Sequence, residues 1–428
     1  MANQTTAEGA APYSAGYKVY VLFILVVVYT FNFIDRTIIS ILAPPIKEEL
    51  GLSDTQLGLL GGTAFALFYT SLGIPVARLA DRTSRTWIMT ISLTLWSGFT
   101  ALCGVAQTFI QLFLARLGVG VGEAGGTAPA YALISDYFPE GQRARALGIY
   151  AFGIPIGSAL GLVLGGTIAA QIDWRTAFIV VGLAGIAIAP LFRLTVREPL
   201  RGGLDAAPAD AVPPSTVDVL RMLLRKPSFW GLSFGAASSS IMTYGVLFWM
   251  PSYFKRTYDL PIDQVSLFFG GIVFVGGVAG VWLGGALADR FGTRTKAAYA
   301  LVSAGALFTC IPFYAFGVLG VPPLWLAFFV FVVPGGLSLV WIGPVTSAVQ
   351  HLVTPGMRAT ASAMFLFINN LIGLGAGTVL IGGLSDLFRE NYGAESLRYA
   401  ILAGTGFFAL AGLIFSVTSL RLERDWER

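Results

Sequence analysis

Four charged side chains stand inside stretches that are otherwise as apolar as lipid: Asp35 and Arg36 in YTFNFIDRTIIS, and Arg116 and Glu123 in FLARLGVGVGEAG. A carboxylate can take up and release a proton, and a guanidinium can grip a carboxylate or phosphate through parallel N–H bonds. Such a charge at the middle of a bilayer costs about 2.5–3.5 kcal/mol even on lenient insertion scales, so it marks a partner, a wet cavity or a function. The four therefore read as a coupling and binding cluster. Asp35 and Glu123 are expected to exchange protons, and Arg116 to pair with a carboxylate or with an anionic group of a substrate. The alternative is a static ion-pair network that only fixes helix packing. Arg36 is either the counter-ion of Asp35 or a binding residue.

Spacing supports the grouping. Tyr29, Asn32 and Arg36 are three and then four residues apart, so they share one helix face, and a polar stripe on a spanning helix must face protein or water. At 1.5 Å per residue Asp35 lies about 27 Å above Tyr17, while Arg116 and Glu123 lie about 12 Å and about 22 Å below Thr108. Across a bilayer of about 40–45 Å these counts put Asp35 and Arg116 at one level and Glu123 lower.

The elements that must carry these residues are apolar helices. The 428 residues are 55% hydrophobic and 12% charged, with mean hydropathy +0.75, too little polar surface to coat a soluble globule. An all-α integral membrane protein is expected, with twelve spans near 17–43, 55–80, 86–106, 108–135, 143–169, 174–195, 228–254, 263–288, 295–318, 323–350, 357–385 and 396–420. The period-two alternation of a β-barrel is absent. The opening residues lack the pattern of a cleaved secretory signal, so the first span is expected to be retained. Cys103 and Cys310 sit in apolar runs without metal spacing and read as packing residues. The single histidine, His351, is near a helix end, which leaves intramembrane proton chemistry to carboxylates. No cofactor or metal is expected.

With the N-terminus inside, most Lys and Arg lie at cytoplasmic helix ends, and Lys47, Arg175, Lys255, Arg256, Arg389 and Arg398 are the ones on the other side. That bias places both termini in the cytoplasm, and it accounts for the net charge of +4 without nucleic acid. The halves also repeat. ARLADRTSR (77–85) returns as GALADRFGTR (285–294), and Pro139, Gly141 and Arg143 return as Pro355, Gly356 and Arg358. The expected organisation is a polar tail (1–16), a six-helix bundle (17–198), a Pro/Gly/Ala-rich linker with a short amphipathic helix (199–227), a second bundle (228–421) and a tail (422–428).

Twelve spans, a central linker and the loop GxxxDRxGxR resemble the major facilitator superfamily. The second copy of the loop fits through Gly285, Asp289, Arg290, Gly292 and Arg294; the first keeps Asp81, Arg82 and Arg85 but has Ala77 and Ser84 where glycine is usual. A narrower resemblance is to the Spinster family, through Tyr29, Asn32, Asp35 and Arg36 and the stretches 116–139 and 142–161. It implies a lipid transporter, since animal members are implicated in sphingosine 1-phosphate export and lysophospholipid efflux; without a eukaryote-like extended tail, a bacterial inner-membrane relative is expected.

Asp81, Arg82, Arg85, Arg143, Asp289, Arg290, Arg294 and Arg358 fall at cytoplasmic helix ends and are expected to form a gate, with contacts across the halves when that side is closed. The glycines Gly118, Gly120, Gly122, Gly125 and Gly126 follow no strand, so they serve close helix packing rather than dinucleotide binding. The second half has no convincing mid-membrane acid. Its binding candidates are Tyr244, Trp249, Asn369 and Asn370. One charged half and one aromatic half suit an amphipathic ligand. The expectation is a monomeric, proton-coupled, alternating-access carrier of a lipid or amphipathic organic anion, among membrane lipids. A carrier of a small organic or sugar acid is the alternative, and a receptor or intramembrane enzyme a remote one, since no catalytic motif is present.

Overall fold

Apolar runs this long satisfy their backbone groups only by coiling into helices. The computed structural model describes residues 13–200, 216–292, 294–354 and 357–427, and no strand occurs among them. Two of the expected gate side chains, Asp81 and Asp289, lie outside the described residues. The first half comprises α1 (Ala15–Leu50), α2 (Asp54–Gly58), α3 (Ala64–Arg82), α4 (Arg85–Cys103), α5 (Phe109–Glu123), α6 (Thr127–Tyr137), α7 (Glu140–Ala151), α8 (Gly153–Gln171) and α9 (Trp174–Thr195). After the short α10 (Thr216–Leu224) come α11 (Pro227–Tyr258), α12 (Ile262–Gly292), α13 (Ala298–Gly320), α14 (Leu324–Leu337), α15 (Ile342–His351), α16 (Arg358–Asn369), α17 (Gly375–Tyr392), α18 (Ser396–Gly404) and α19 (Gly406–Asp425). Among the described residues, nine helical stretches are long and apolar enough to cross a bilayer.

Several expected single spans are broken, and the breaks have local causes. The run 108–135 is α5 and α6, separated at Ala124–Gly126. Pro129 has no N–H to donate to the carbonyl of Gly125, and its ring crowds that carbonyl. Pro155 and Pro344 do the same just past the breaks between α7 and α8 and between α14 and α15. Two π-turns, Leu59–Thr63 between α2 and α3 and Asn370–Leu374 between α16 and α17, complete the irregularities.

The packing repeats between the halves. In the first, α4 packs on α9 and α5, and α3 on α5; in the second, α13 packs on α19 and α14, and α12 on α14. The halves meet where α8 lies on α12, α2 on α17 and α1 on α11. At the α2–α17 contact each half satisfies a carbonyl of the other: Thr378 Oγ1 donates to Gly58 O at 2.6 Å and Thr63 Oγ1 to Gly375 O at 2.6 Å. A side chain at Gly58 would stand 2.5 Å from the Thr378 carbonyl oxygen, so glycine is what lets the two backbones meet.

The turns gather at two ends of the bundle. The described chain begins and ends at one of them, here the near end, where Tyr13 packs on Tyr137 and Trp426 stacks on His351. The far end carries the turns after α1, α9's start and the turn after α11.

Candidate functional site

The intramembrane charges converge in the first half. Asp35, Arg116 and Glu123 are all buried, at 1%, 1% and 0% exposure. Arg36 Nε donates to Glu123 Oε2 at 2.6 Å, and Arg116 Nη1 donates to the backbone carbonyl of Asp35 at 3.1 Å. Arg36 thus pairs with Glu123 rather than with its neighbour Asp35. The reason is directional: helical side chains lean toward their helix N-terminus, so the long Arg36 side chain on α1 reaches back to the lower level of Glu123.

Aromatic faces hold the guanidiniums in place. Arg36 lies over the rings of Phe33, Phe65 and Tyr69, with Tyr69 closest at 4.4 Å, and Arg116 sits 5.8 Å from Phe65 on the same α3. Each contact is electrostatically favourable where water is excluded. Tyr29 stacks on Tyr150 at 4.2 Å, and Tyr131 meets Tyr150 edge-on. Tyr244 of the second half lies within electrostatic reach of Arg36, and Asn32 stands beside Glu123.

Much of this polar cluster is unsatisfied. Both carboxylate oxygens of Asp35, Glu123 Oε1, Asn32 Oδ1, Arg36 Nη2 and Arg116 Nε are buried without a hydrogen bond of full geometry, and the Trp96 indole and the Thr100 hydroxyl are the nearest donors to the Asp35 carboxylate. Buried polar atoms are usually paired, so a concentration of orphans marks a place where protons, water or a ligand are handled. The arrangement offers one paired carboxylate, one unpaired carboxylate and two arginines on facing helices. Trp96, Thr100, Phe65, Tyr69 and Tyr150 were missed by sequence reasoning; Tyr150 alone lay in a stretch already singled out.

In the second half, Asn369 Oδ1 accepts from Ser240 Oγ at 2.8 Å, and Asn370 opens the second π-turn. Trp249 is wholly buried, and its indole N–H donates to Thr378 O at 2.8 Å, so it clamps α11 to α17.

The near-end arginines do different things. Arg85 pairs with Asp136 and, at 2.8 Å, with Glu198, both in its own half, and donates to the carbonyl of Pro199 at the start of the linker. Glu198 also accepts from Ser84 Oγ and from Thr86 N–H, both at 2.9 Å, capping α4. Burial alone would raise the Glu198 pKa, but these bonds outweigh it and hold the carboxyl below its ordinary range. Arg143 donates to the carbonyls of Ser135 and Phe138. Arg82, Arg290, Arg294 and Arg358 are exposed.

Among the described residues the ion pairs that join the halves sit at the far end, which sequence reasoning did not single out. Arg256 on α11 grips Asp54 on α2 with both Nη atoms, at 2.7 and 2.8 Å; Lys47 and Ser385 bind the same carboxylate. Asp386 on α17 accepts from the backbone N–H groups of Asp54 and Thr55, at 3.1 and 2.8 Å, and from Thr55 Oγ1 at 2.6 Å. The second half thereby caps a helix of the first. Lys255 pairs with Glu48 in the same belt.

Two repeated helical halves, a charged cluster buried in one of them and ion pairs latching them at one end define a membrane transporter. The chain belongs to the major facilitator superfamily, whose family model matches residues 25–378. An MFS-type efflux pump of Mycolicibacterium smegmatis is 35% identical over 403 residues, 94% of this chain and 92% of that protein. Protein spinster homolog 1 of Homo sapiens is 31% identical over 445 residues, 97% of this chain and 83% of that one. The solved structure of a bacterial homolog to the human lysosomal transporter Spinster, inward-facing and unoccupied, is 32% identical with a TM-score of 0.89, covering 97% of this chain and all of that one. The chain is thus a multi-pass transporter related to the Spinster proteins, and these relatives are transporters rather than enzymes.

Proposed function

We propose that the protein is a proton-coupled secondary transporter that moves a lipid or other amphipathic organic anion by rocker-switch alternating access. In this reading twelve helices span a bacterial inner membrane, counting α2–α3, α5–α6, α7–α8, α14–α15, α16–α17 and α18–α19 as broken single spans. Both termini are cytoplasmic, so the near end faces inward, the far-end belt is the closed outer gate, and the captured state is inward-facing. The observation that carries the coupling is the Arg36–Glu123 pair beside the unpaired Asp35. Protonating Glu123 removes the attraction that holds Arg36, and an anionic headgroup can then compete for Arg36 and Arg116. The aromatic faces of Tyr29, Tyr69 and Tyr150, with Tyr244 of the second half, suit the apolar part of such a ligand, and the amides of Asn369 and Asn370 suit a polar group on it.

The near-end residues Asp81, Arg82, Arg85, Arg143, Asp289, Arg290, Arg294 and Arg358 form the opposing gate in this reading, which engages when the far-end belt opens. The test is flux in proteoliposomes, with and without a pH gradient, for a panel of lysophospholipids, sphingoid phosphates, amphipathic drugs and sugar acids. Transport of an amphipathic member that rises with the gradient supports the proposal. Transport of a sugar acid alone would overturn the substrate class.

A further inference from the structure

The near-end surface between α11 and α19 is organised as a site that the transport cycle does not use. A groove of about 410 Å³ runs along it, walled by Gly231, Leu413, Ile414 and Val417, with Arg421 at its mouth. Leu413, Val417, Arg421 and Arg424 follow one another at spacings of four, four and three, so they form one face of α19 that is apolar toward the bilayer centre and cationic at its end. Leu413 and Val417 are 57% and 64% exposed on a helix that must sit in lipid. Within the groove Ser228 Oγ is buried and has no hydrogen-bond partner, a polar atom available to a ligand.

A second cavity of about 640 Å³ lies at the same end, where Arg424 follows Arg421 by one turn of α19; Arg225, Arg424 and Trp426 line it together with three acids, and Asp218, Arg221 and Met222 of α10 form one wall. Helix α10 turns Val219 and Leu223 into the core and leaves Val217, Leu220 and Leu224 exposed. That outer apolar stripe, beside Arg221 and Arg225, is the pattern of a helix lying in a membrane interface. Each of the acids in its wall already has a partner: Glu427 pairs with Lys226, Asp425 accepts from Ser228 N–H and Asp218 pairs with Arg221. Among the described residues Arg225, Arg421 and Arg424 have no carboxylate at ion-pair distance, so the site presents net positive charge at headgroup level.

We infer that this surface binds one anionic phospholipid of the near-end leaflet, its phosphate between Arg421, Arg424 and Arg225 and one acyl chain in the groove along Gly231, Leu413 and Val417. Charge complementarity and the apolar groove together select a lipid rather than a soluble phosphate. A lipid seated there ties α10, and with it the connection between the halves, to α11 and α19.

The test uses the purified full chain in detergent, titrated with phosphatidylglycerol or with phosphatidylcholine of the same acyl chains, with adducts counted by native mass spectrometry. The wild type is expected to hold phosphatidylglycerol preferentially, and that preference to fall about fivefold for each of Arg225→Gln, Arg421→Gln and Arg424→Gln. Val417→Trp fills the groove without changing charge and is expected to reduce retention of the bound lipid. Arg389→Gln, the same charge change at the far end, is expected to leave the preference intact. All four arginines are exposed, so the variants leave the fold alone. Preference unchanged in the triple variant, an equal fall in Arg389→Gln, or displacement of the lipid by millimolar inorganic phosphate would each overturn the inference.

Discussion

Arg256→Ala attacks the far-end belt at its most connected point. Asp54 is 2% exposed and keeps Lys47 and Ser385 when Arg256 is lost, while the Arg256 side chain is itself 27% exposed. Removing one member of a fully buried pair costs about 3–5 kcal/mol. Partial exposure and the surviving Lys47 reduce that to about 2 kcal/mol. The lost contacts cross between the halves, so the cost falls on the far-end-closed state and shifts the balance toward opening by about 30-fold. Asp386→Asn weakens the interhalf cap and adds about 1 kcal/mol in the same direction. The assay is electron–electron distance measurement between spin labels at Gln171 and Glu390, exposed positions at the far ends of the two halves. Cys103 and Cys310 are fully buried, so background labelling is low. The variants should gain a longer-distance population, larger in the double variant. Distance distributions identical to wild type in both would refute the idea that the belt holds the far end shut.

Two further outcomes follow from local geometry. A methyl group at Gly122 would stand 2.5 Å from the backbone nitrogen of Trp96, so Gly122→Ala should lower thermal stability by about 1–3 kcal/mol; Gly148→Ala, with open space around it, should stay within about 0.5 kcal/mol of wild type. Because the folded-state pKa of Glu198 is depressed, its contribution is present above the ordinary value of 4.5 and is lost as pH falls through the folded value. Melting curves of Glu198→Gln should therefore converge on wild type in acid and separate from it near neutrality; a constant gap at all pH values would contradict the capping role.

Helicity, the internal repeat and the charged cluster were legible because burial is costly: apolar runs must coil, and charges inside them must have a reason. The pairing of that cluster was not. Neighbours in sequence suggested Asp35 for Arg36, and only the lean of the side chain along α1 and the approach of α5 bring Glu123 to it instead. The far-end belt was invisible for a different reason. Lys47, Asp54 and Arg256 lie at helix ends, where charge is ordinary, and Asp54 meets Arg256 and Asp386 only across separations of 202 and 332 residues. The helix breaks were written in Pro129, Pro155 and Pro344, yet hydropathy averaged over a whole span conceals them.

The central claim is that the buried carboxylates of the first half couple transport to protons. It is tested most directly by flux in proteoliposomes under an imposed pH gradient, with substrate exchange at equal pH as the parallel readout, for wild type, Asp35→Asn and Glu123→Gln. The account predicts that the gradient ceases to drive net flux in the carboxylate variants while exchange persists in at least one of them. Gradient-driven flux equal to wild type in both variants would contradict it.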